Sequence, residues 1–189
     1  CCHYFDLINL LADAQPRDVF ASGGQAVNFL DFVHEGRKSD IDDNGFAIIN
    51  YHNGIRANFT LNMFANEFYE ELVITGEKGR LVVSEKASAD KKRQTKASIM
   101  VEVEGHQHYE GSKIGYPPSI EKSGHHGATF FEHEALISQL QQKDVDAATP
   151  RQGLMAMLVA SAAQRSITEN NVVSIAEHAE RNGIKEILN

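Results

Sequence analysis

Four polar side chains, His3, Asp6, Asn9 and Asp13, recur at spacings of three, three and four in a segment otherwise built of Tyr4, Phe5, Leu7, Ile8, Leu10 and Leu11. Side chains three and four apart share one face of an α-helix, so the pattern predicts a helix over residues 2–12 with a single polar line. An imidazole with a carboxylate three residues on can have its ring oriented, or its charge fixed, by that carboxylate. A histidine so held can pass protons near neutral pH. The plainer role for the same spacing is a capping or packing histidine. A helix apolar on nearly every other side is expected to be buried, with its polar line toward a cleft, a partner domain or water.

A second group is Gly124-His125-His126-Gly127, followed by Glu132, His133 and Glu134. Zinc chemistry would need ligands at workable spacing. No H-E-x-x-H is present, and adjacent histidines are poorly placed for one ion, so no metal is expected. A substrate-facing His125 or His126 in a glycine-flexed loop fits the residues better. His133 falls on the stripe Phe130, His133, Ile137, Leu140 and is expected in or at the edge of a core. The acidic run Asp40-Ile41-Asp42-Asp43-Asn44-Gly45 is superficially like a calcium loop, but its twelfth position is Tyr51 where a glutamate is required. It reads as a turn entering a strand. Cys1 and Cys2 are adjacent and form neither a C-x-x-C nor a disulfide framework, so a reducing, cytoplasmic setting is expected.

The elements that must position these groups follow from periodicity. Arg17–Ser22, ending at Gly23-Gly24, reads as a strand and turn. Asp31–Asn44 is charged and irregular, hence a surface loop. Asn44–His52 and Ile55–Met63 flank Asn53-Gly54, the signature of a hairpin with a type I′ turn. Phe68–Thr75 and Arg80–Ser84 flank Gly76-Glu77-Lys78-Gly79 as a second hairpin. Ala87–Lys96 is polar and reads as a loop. Ile99–Glu104 alternates as a half-buried strand, with a partner near His106–Glu110. Gly111–Gly127 is irregular. Ala128–Gln142 is helical, and Thr149-Pro150 caps a helix over Arg151–Ser166. Val172–Ile175 is a short strand or extended segment, and Ala176–Leu188 is a last helix, broken or bent near Gly183. This order predicts an α+β fold: a large, mostly antiparallel open sheet with helices packed on one face.

The 189 residues, 42% hydrophobic and 23% charged, suit a globular domain with a real core. A net charge of −8 without a long basic run disfavours nucleic acid as a partner. The longest near-apolar run, Gly153–Ala163, is too short to span a bilayer, so no membrane partner is expected. Gly23-Gly24 follows a strand but lacks the third glycine of G-x-G-x-x-G, so these residues are not expected to bind a dinucleotide.

Taken in order, the segments His3-Tyr4-Phe5-Asp6-Leu7, Arg17–Gly24, Asp43–Gly54, Ile74–Gly79, Gly124–Ala128 and the Gly153–Ser166 helix resemble the glucose–fructose oxidoreductase / inositol dehydrogenase family over nearly the whole chain. The H-x-x-D-L segment and the G-x-x-G hairpin turn carry the likeness. The resemblance implies that residues 1–189 are a C-terminal substrate-binding and oligomerisation domain. A missing N-terminal Rossmann domain would hold NAD or NADP and supply a lysine from an E-K-P motif. No cofactor is then expected on these residues themselves, and the abrupt start within a helix is read as a C-terminal portion of a longer enzyme. By the same resemblance His3 is catalytic, exchanging a proton with a substrate hydroxyl. Asp6 supports the ring or a substrate hydroxyl, and His125 and His126 lie on the substrate-side loop, His126 standing where the family more often has glycine. The implied substrate is a sugar, inositol or related polyol. A stand-alone, non-catalytic binding or scaffold module without a cofactor domain is the alternative. Because Phe46 and Ile48 alternate with Ala47, Ile49 and Tyr51, both sheet faces are substantially apolar, and a homo-oligomer through the open face is expected.

Overall fold

The computed structural model describes residues 1–87, 96–104, 109–110 and 116–188. In chain order its elements are helix α1 (Cys2–Ala12) and strands β1 (Pro16–Gly24), β2 (Val33–His34), β3 (Arg37–Lys38), β4 (Asn44–Tyr51) and β5 (Arg56–Asn62). Strands β6 (Phe68–Gly76), β7 (Gly79–Ala87), β8 (Lys96–Val103) and β9 (Tyr109–Glu110) follow. Helices α2 (Pro118–Glu121), α3 (Ala128–Leu140) and α4 (Pro150–Glu169), strand β10 (Val173–Ser174) and helix α5 (Ile175–Arg181) complete it. The chain divides into two compact units, one of Cys1–Phe64 with Ala148–Asn189 and one of Ala65–Ala147. The expected α+β class holds, and its antiparallel strands are shared between two four-stranded sheets, one per unit, and a two-stranded β2–β3 ribbon in the first unit.

In the first unit the sheet order is β10-β1-β4-β5. Successive strand residues point to opposite faces, and the register sets Val19 opposite Ile49 and Ala21 opposite Ala47. These four and Tyr51 are buried. Their neighbours Phe20, Ile48 and Phe46 take the other face, 37%, 50% and 57% exposed. Helix α4 covers the buried face with Ala156, Val159, Ala162 and Ala163, whose small side chains let it lie close on β1. Its start is the predicted one: Thr149 and Gln152 form a reciprocal capping box ahead of Pro150. Its end is fastened by Ser166, whose buried hydroxyl accepts from the Ala21 N–H at 2.8 Å and donates to the Asn171 carbonyl at 2.5 Å. Helix α5 stops at Arg181, before Gly183 at φ +69°, as the expected bend requires.

Two local expectations are corrected here. The β4–β5 turn is not type I′. Only Gly54 has positive φ, at +88°, and Tyr51 pairs with Ile55 across a three-residue loop. This is a type I turn closed by a glycine bulge. The Asn53 side chain explains the choice, since its oxygen accepts from the Ile55 N–H at 3.1 Å and its nitrogen donates to the Ala12 carbonyl at 2.9 Å. Helix α1, expected to be buried apart from its polar line, buries only Phe5 and Ala12, while Leu7, Leu10 and Leu11 are exposed.

The second unit holds the sheet β6-β7-β8-β9. Leu72, Val83 and Ile99 form one cross-strand row and Ile74, Leu81 and Val101 the next, so both rows lie on one apolar face. At the predicted hairpin Gly76 pairs with Gly79, and a Cβ on Gly79 would run into the Glu102 carbonyl oxygen, so the β7–β8 approach requires glycine there. Tyr109–Glu110 supplies the expected partner of β8, while of the predicted loop Ala87–Lys96 the two end residues fall in β7 and β8 and residues 88–95 lie outside the described residues. The stretch read as irregular contains the short helix α2 and a 3₁₀ turn over His125–Gly127 leading into α3. The Tyr116 ring rests on Phe131 with centroids 4.8 Å apart.

Candidate functional site

His3 and Asp6 sit one turn apart on α1, as their spacing predicts, in the first unit. The His3 ring is exposed and lies against Tyr4, centroids 4.0 Å apart. Tyr4 and Phe5 in turn meet Phe59 of β5 at 5.8 and 4.9 Å, which fastens the start of the helix to the sheet. Asp6, Asn9 and Asp13 all border one hollow of about 180 Å³, closed on the far side by Gln152 and Met155 of α4. Three of the four residues of the polar line thus face a cleft, one of the settings the sequence left open. His3 stands one turn N-terminal to that hollow.

Asn9 does more than line it. Its oxygen accepts from the Tyr51 hydroxyl at 2.8 Å, while its shielded Nδ2 has no hydrogen-bond partner among the described residues. Tyr51 is fully buried, and burial pushes its hydroxyl pKa well above the usual value. That hydroxyl therefore stays a proton donor at any physiological pH. The sequence placed Tyr51 on the same face of β4 as Ala47 and Ile49 but carried no signal for a bond to a residue 42 positions away.

His125 belongs to the second unit and is exposed, in the 3₁₀ turn before α3. Its φ is +44°, a left-handed conformation that disfavours a non-glycine residue, between Gly124 at +111° and Gly127 at +104°. A Cβ on Gly127 would sit 3.0 Å from the Ile120 methyl and 3.4 Å from the Tyr116 ring, which is why the loop closes on glycine. The His126 side chain lies outside what the structure describes. His133, expected in or near a core, is exposed and borders a hollow of about 480 Å³ with Phe130, Ile137 and Lys143. The apolar stripe of α3 is therefore not turned into a core of its own unit. Among the described residues no group of three or more His, Cys, Asp or Glu is placed to hold a metal ion. Cys1 and Cys2 are free and exposed.

The acidic loop resolves into a fastening. Asp43 is fully buried and accepts from the N–H groups of Ala26, Val27 and Asn28 and from the Asn44 amide. Burial alone would raise its pKa, but these donors outweigh it and hold the carboxyl near about 2. The reading as a turn entering a strand is thus correct, with a role the sequence did not reveal. The same contacts bear on the cofactor. After Gly23-Gly24 the successive N–H groups that could cradle a phosphate are already filled by the Asp43 carboxylate, so a dinucleotide pyrophosphate does not fit there.

Several solved structures share this fold. Levoglucosan dehydrogenase, in complex with NADH and levoglucosan, matches with a TM-score of 0.68 at 15% identity, over 92% of this chain and 48% of its own. The aldose-aldose oxidoreductase from Caulobacter crescentus, complexed with glycerol, gives 0.61 at 15% identity over 92% and 45%. The WlbA dehydrogenase from Bordetella pertussis, in complex with NADH and UDP-GlcNAcA, gives 0.58 at 16% over 92% and 42%. The chain spans about half the length of these structures. No curated protein matches the sequence. Among the described residues no helix is long and apolar enough to cross a membrane. Residues 1–175 match the family described as "Oxidoreductase family, C-terminal alpha/beta domain", and the chain accordingly belongs to the glucose–fructose oxidoreductase / inositol dehydrogenase family of oxidoreductases.

Proposed function

We propose that residues 1–189 form the C-terminal substrate-binding and dimerisation domain of an NAD(P)-dependent oxidoreductase acting on a sugar, inositol or related polyol. The observation that carries this reading is His3, exposed on α1 one turn from Asp6, beside a hollow lined by Asp6, Asn9 and Asp13. Family membership supports the reaction class. The ligands in complex with the fold neighbours, levoglucosan, UDP-GlcNAcA and glycerol, support the substrate class.

In this reading the nicotinamide, held by a separate domain of the parent, supplies the two-electron exchange at the carbon. The chain's own part is the proton. As an alcohol becomes a carbonyl, its hydroxyl proton passes to an unprotonated ring nitrogen of His3, and in reduction the imidazolium returns it. Without that transfer the oxygen would carry an unfavourable charge. Asp6, on the same helix face, supports the ring or accepts a hydrogen bond from a neighbouring substrate hydroxyl. His125 and His126 contribute from the loop before α3 as substrate contacts. The exposed row Phe20, Phe46 and Ile48 supports pairing of two chains through that sheet face.

The test is a steady-state assay of the full-length protein against D-glucose, myo-inositol and levoglucosan with NAD⁺ and NADP⁺. Reduced nucleotide should form with at least one pair. Absence of turnover with every pair, in a folded protein that binds the nucleotide, would remove the sugar and polyol assignment and favour a binding module.

A further inference from the structure

Helix α1 packs through a narrow band, with Tyr4 and Phe5 against Phe59 and Ile8 against the core. Of its eleven residues only Phe5 and Ala12 are buried, and three of its leucines face solvent. Apolar contact is non-directional, so this band sets the rotation of the helix less sharply than a hydrogen bond to a side chain does. Two hydrogen bonds from the β4 end of the sheet are directional. The Tyr51 hydroxyl donates to the Asn9 oxygen at 2.8 Å, and the Asn53 amide donates to the Ala12 carbonyl at 2.9 Å. The second holds the end of the helix in place. The first reaches a side chain, and so fixes the azimuth.

Asn9 is an expensive choice for that position, since its shielded Nδ2 has no partner among the described residues. A leucine opposite phenylalanine would leave nothing unsatisfied. From this we infer that the Tyr51–Asn9 bond sets the rotation of α1, which makes Tyr51 and Asn9 positioning residues for His3. The inference rests on the proposed role of His3 for its effect on rate, though not for its effect on geometry. The lever is long enough to matter. Side-chain heads lie about 5–6 Å from a helix axis, so a turn of about 20° carries an imidazole about 2 Å. A misplacement of about 1 Å can cost about 10²-fold in rate.

The experiment uses the full-length protein labelled with [¹³C]histidine, the His3 ring signal being assigned by its loss in His3→Ala. Tyr51→Phe removes only the hydroxyl. Tyr51→Phe combined with Asn9→Leu removes both partners and restores the thermal midpoint to within about 2 °C of the unsubstituted protein. In both variants the His3 ring resonance shifts or splits. In both, kcat on the turned-over sugar falls at least about tenfold, while KM for the nicotinamide nucleotide is unchanged. A His3 resonance unmoved in both variants overturns the inference, as does full turnover in the double variant once its midpoint has recovered. If His3→Ala itself leaves turnover unchanged, the proposed reaction fails, and the resonance alone still decides whether the bond orients the helix.

Discussion

Replacing Ser166 by alanine removes one buried hydroxyl that joins three segments: α4, β1 and the chain after α4. Two hydrogen bonds disappear, from the Ala21 N–H at 2.8 Å and to the Asn171 carbonyl at 2.5 Å. Their consequences differ. Asn171 is exposed, so water replaces the lost donor at its carbonyl with little net effect. Ala21 is 3% exposed, and its N–H is left without an acceptor. An unsatisfied buried donor costs about 1–3 kcal/mol, so Ser166→Ala should lose about 2 kcal/mol. For a chain of this length that is a fall of about 4–8 °C in thermal midpoint. Differential scanning calorimetry reads the midpoint, and amide hydrogen exchange reads Ala21 directly. Thr168→Ala is the internal control. Its hydroxyl donates to the Gln164 carbonyl at 3.1 Å on the exposed side of the same helix, and its loss should stay within about 0.5 kcal/mol. A midpoint shift below about 1 °C for Ser166→Ala, with Ala21 exchange unchanged, would refute the reasoning.

Three further outcomes are expected. Because the Asp43 carboxyl is held at about 2 against 3.8 unperturbed, its stabilisation is complete above about pH 5 and lost progressively as pH falls toward 2; exchange of the Ala26, Val27 and Asn28 amides should accelerate over that window, and Asp43→Asn should weaken protection at pH 7 while flattening the acid slope. Gly79→Ala, which forces a Cβ into the Glu102 carbonyl, should cost about 1–3 kcal/mol in the second unit, while Gly24→Ala, with open space around it, should be nearly neutral in chemical denaturation. Phe46→Lys on the exposed sheet face should weaken self-association at least about tenfold in sedimentation equilibrium, since burying a phenylalanine contributes about 1.5–3 kcal/mol; an unchanged dissociation constant would place the contact elsewhere.

Legibility of the fold tracked the range of the interactions involved. Thr149-Pro150 announced α4 because capping is local, and the alternation Phe46, Ala47, Ile48, Ile49 gave the two faces of β4 because strand geometry is local. The β4–β5 turn escaped because Asn53 makes a side-chain bond to Ala12, a tertiary contact that overrides the dipeptide preference. The exposure of α1 escaped for a related reason, since hydrophobicity all round a helix states a need for cover but not where the cover comes from. Of the candidate site, the line His3–Asp6–Asn9–Asp13 was readable from spacing, and three of its members do border one hollow. The Tyr51 tether and the Asp43 clasp were not readable, since each joins side chain to partner through the fold rather than along the chain. His133 was misplaced because a stripe on α3 was taken for a core face, whereas this helix leaves its stripe exposed.

The most direct measurement is the turnover of His3→Ala against the unsubstituted full-length protein, with the sugar or polyol proposed as substrate and with nucleotide affinity measured in parallel. Loss of a general acid–base group should lower kcat by about 10²-fold or more while nucleotide binding stays intact. Unchanged kcat in the folded variant would take His3 out of the reaction and leave it a surface residue of α1.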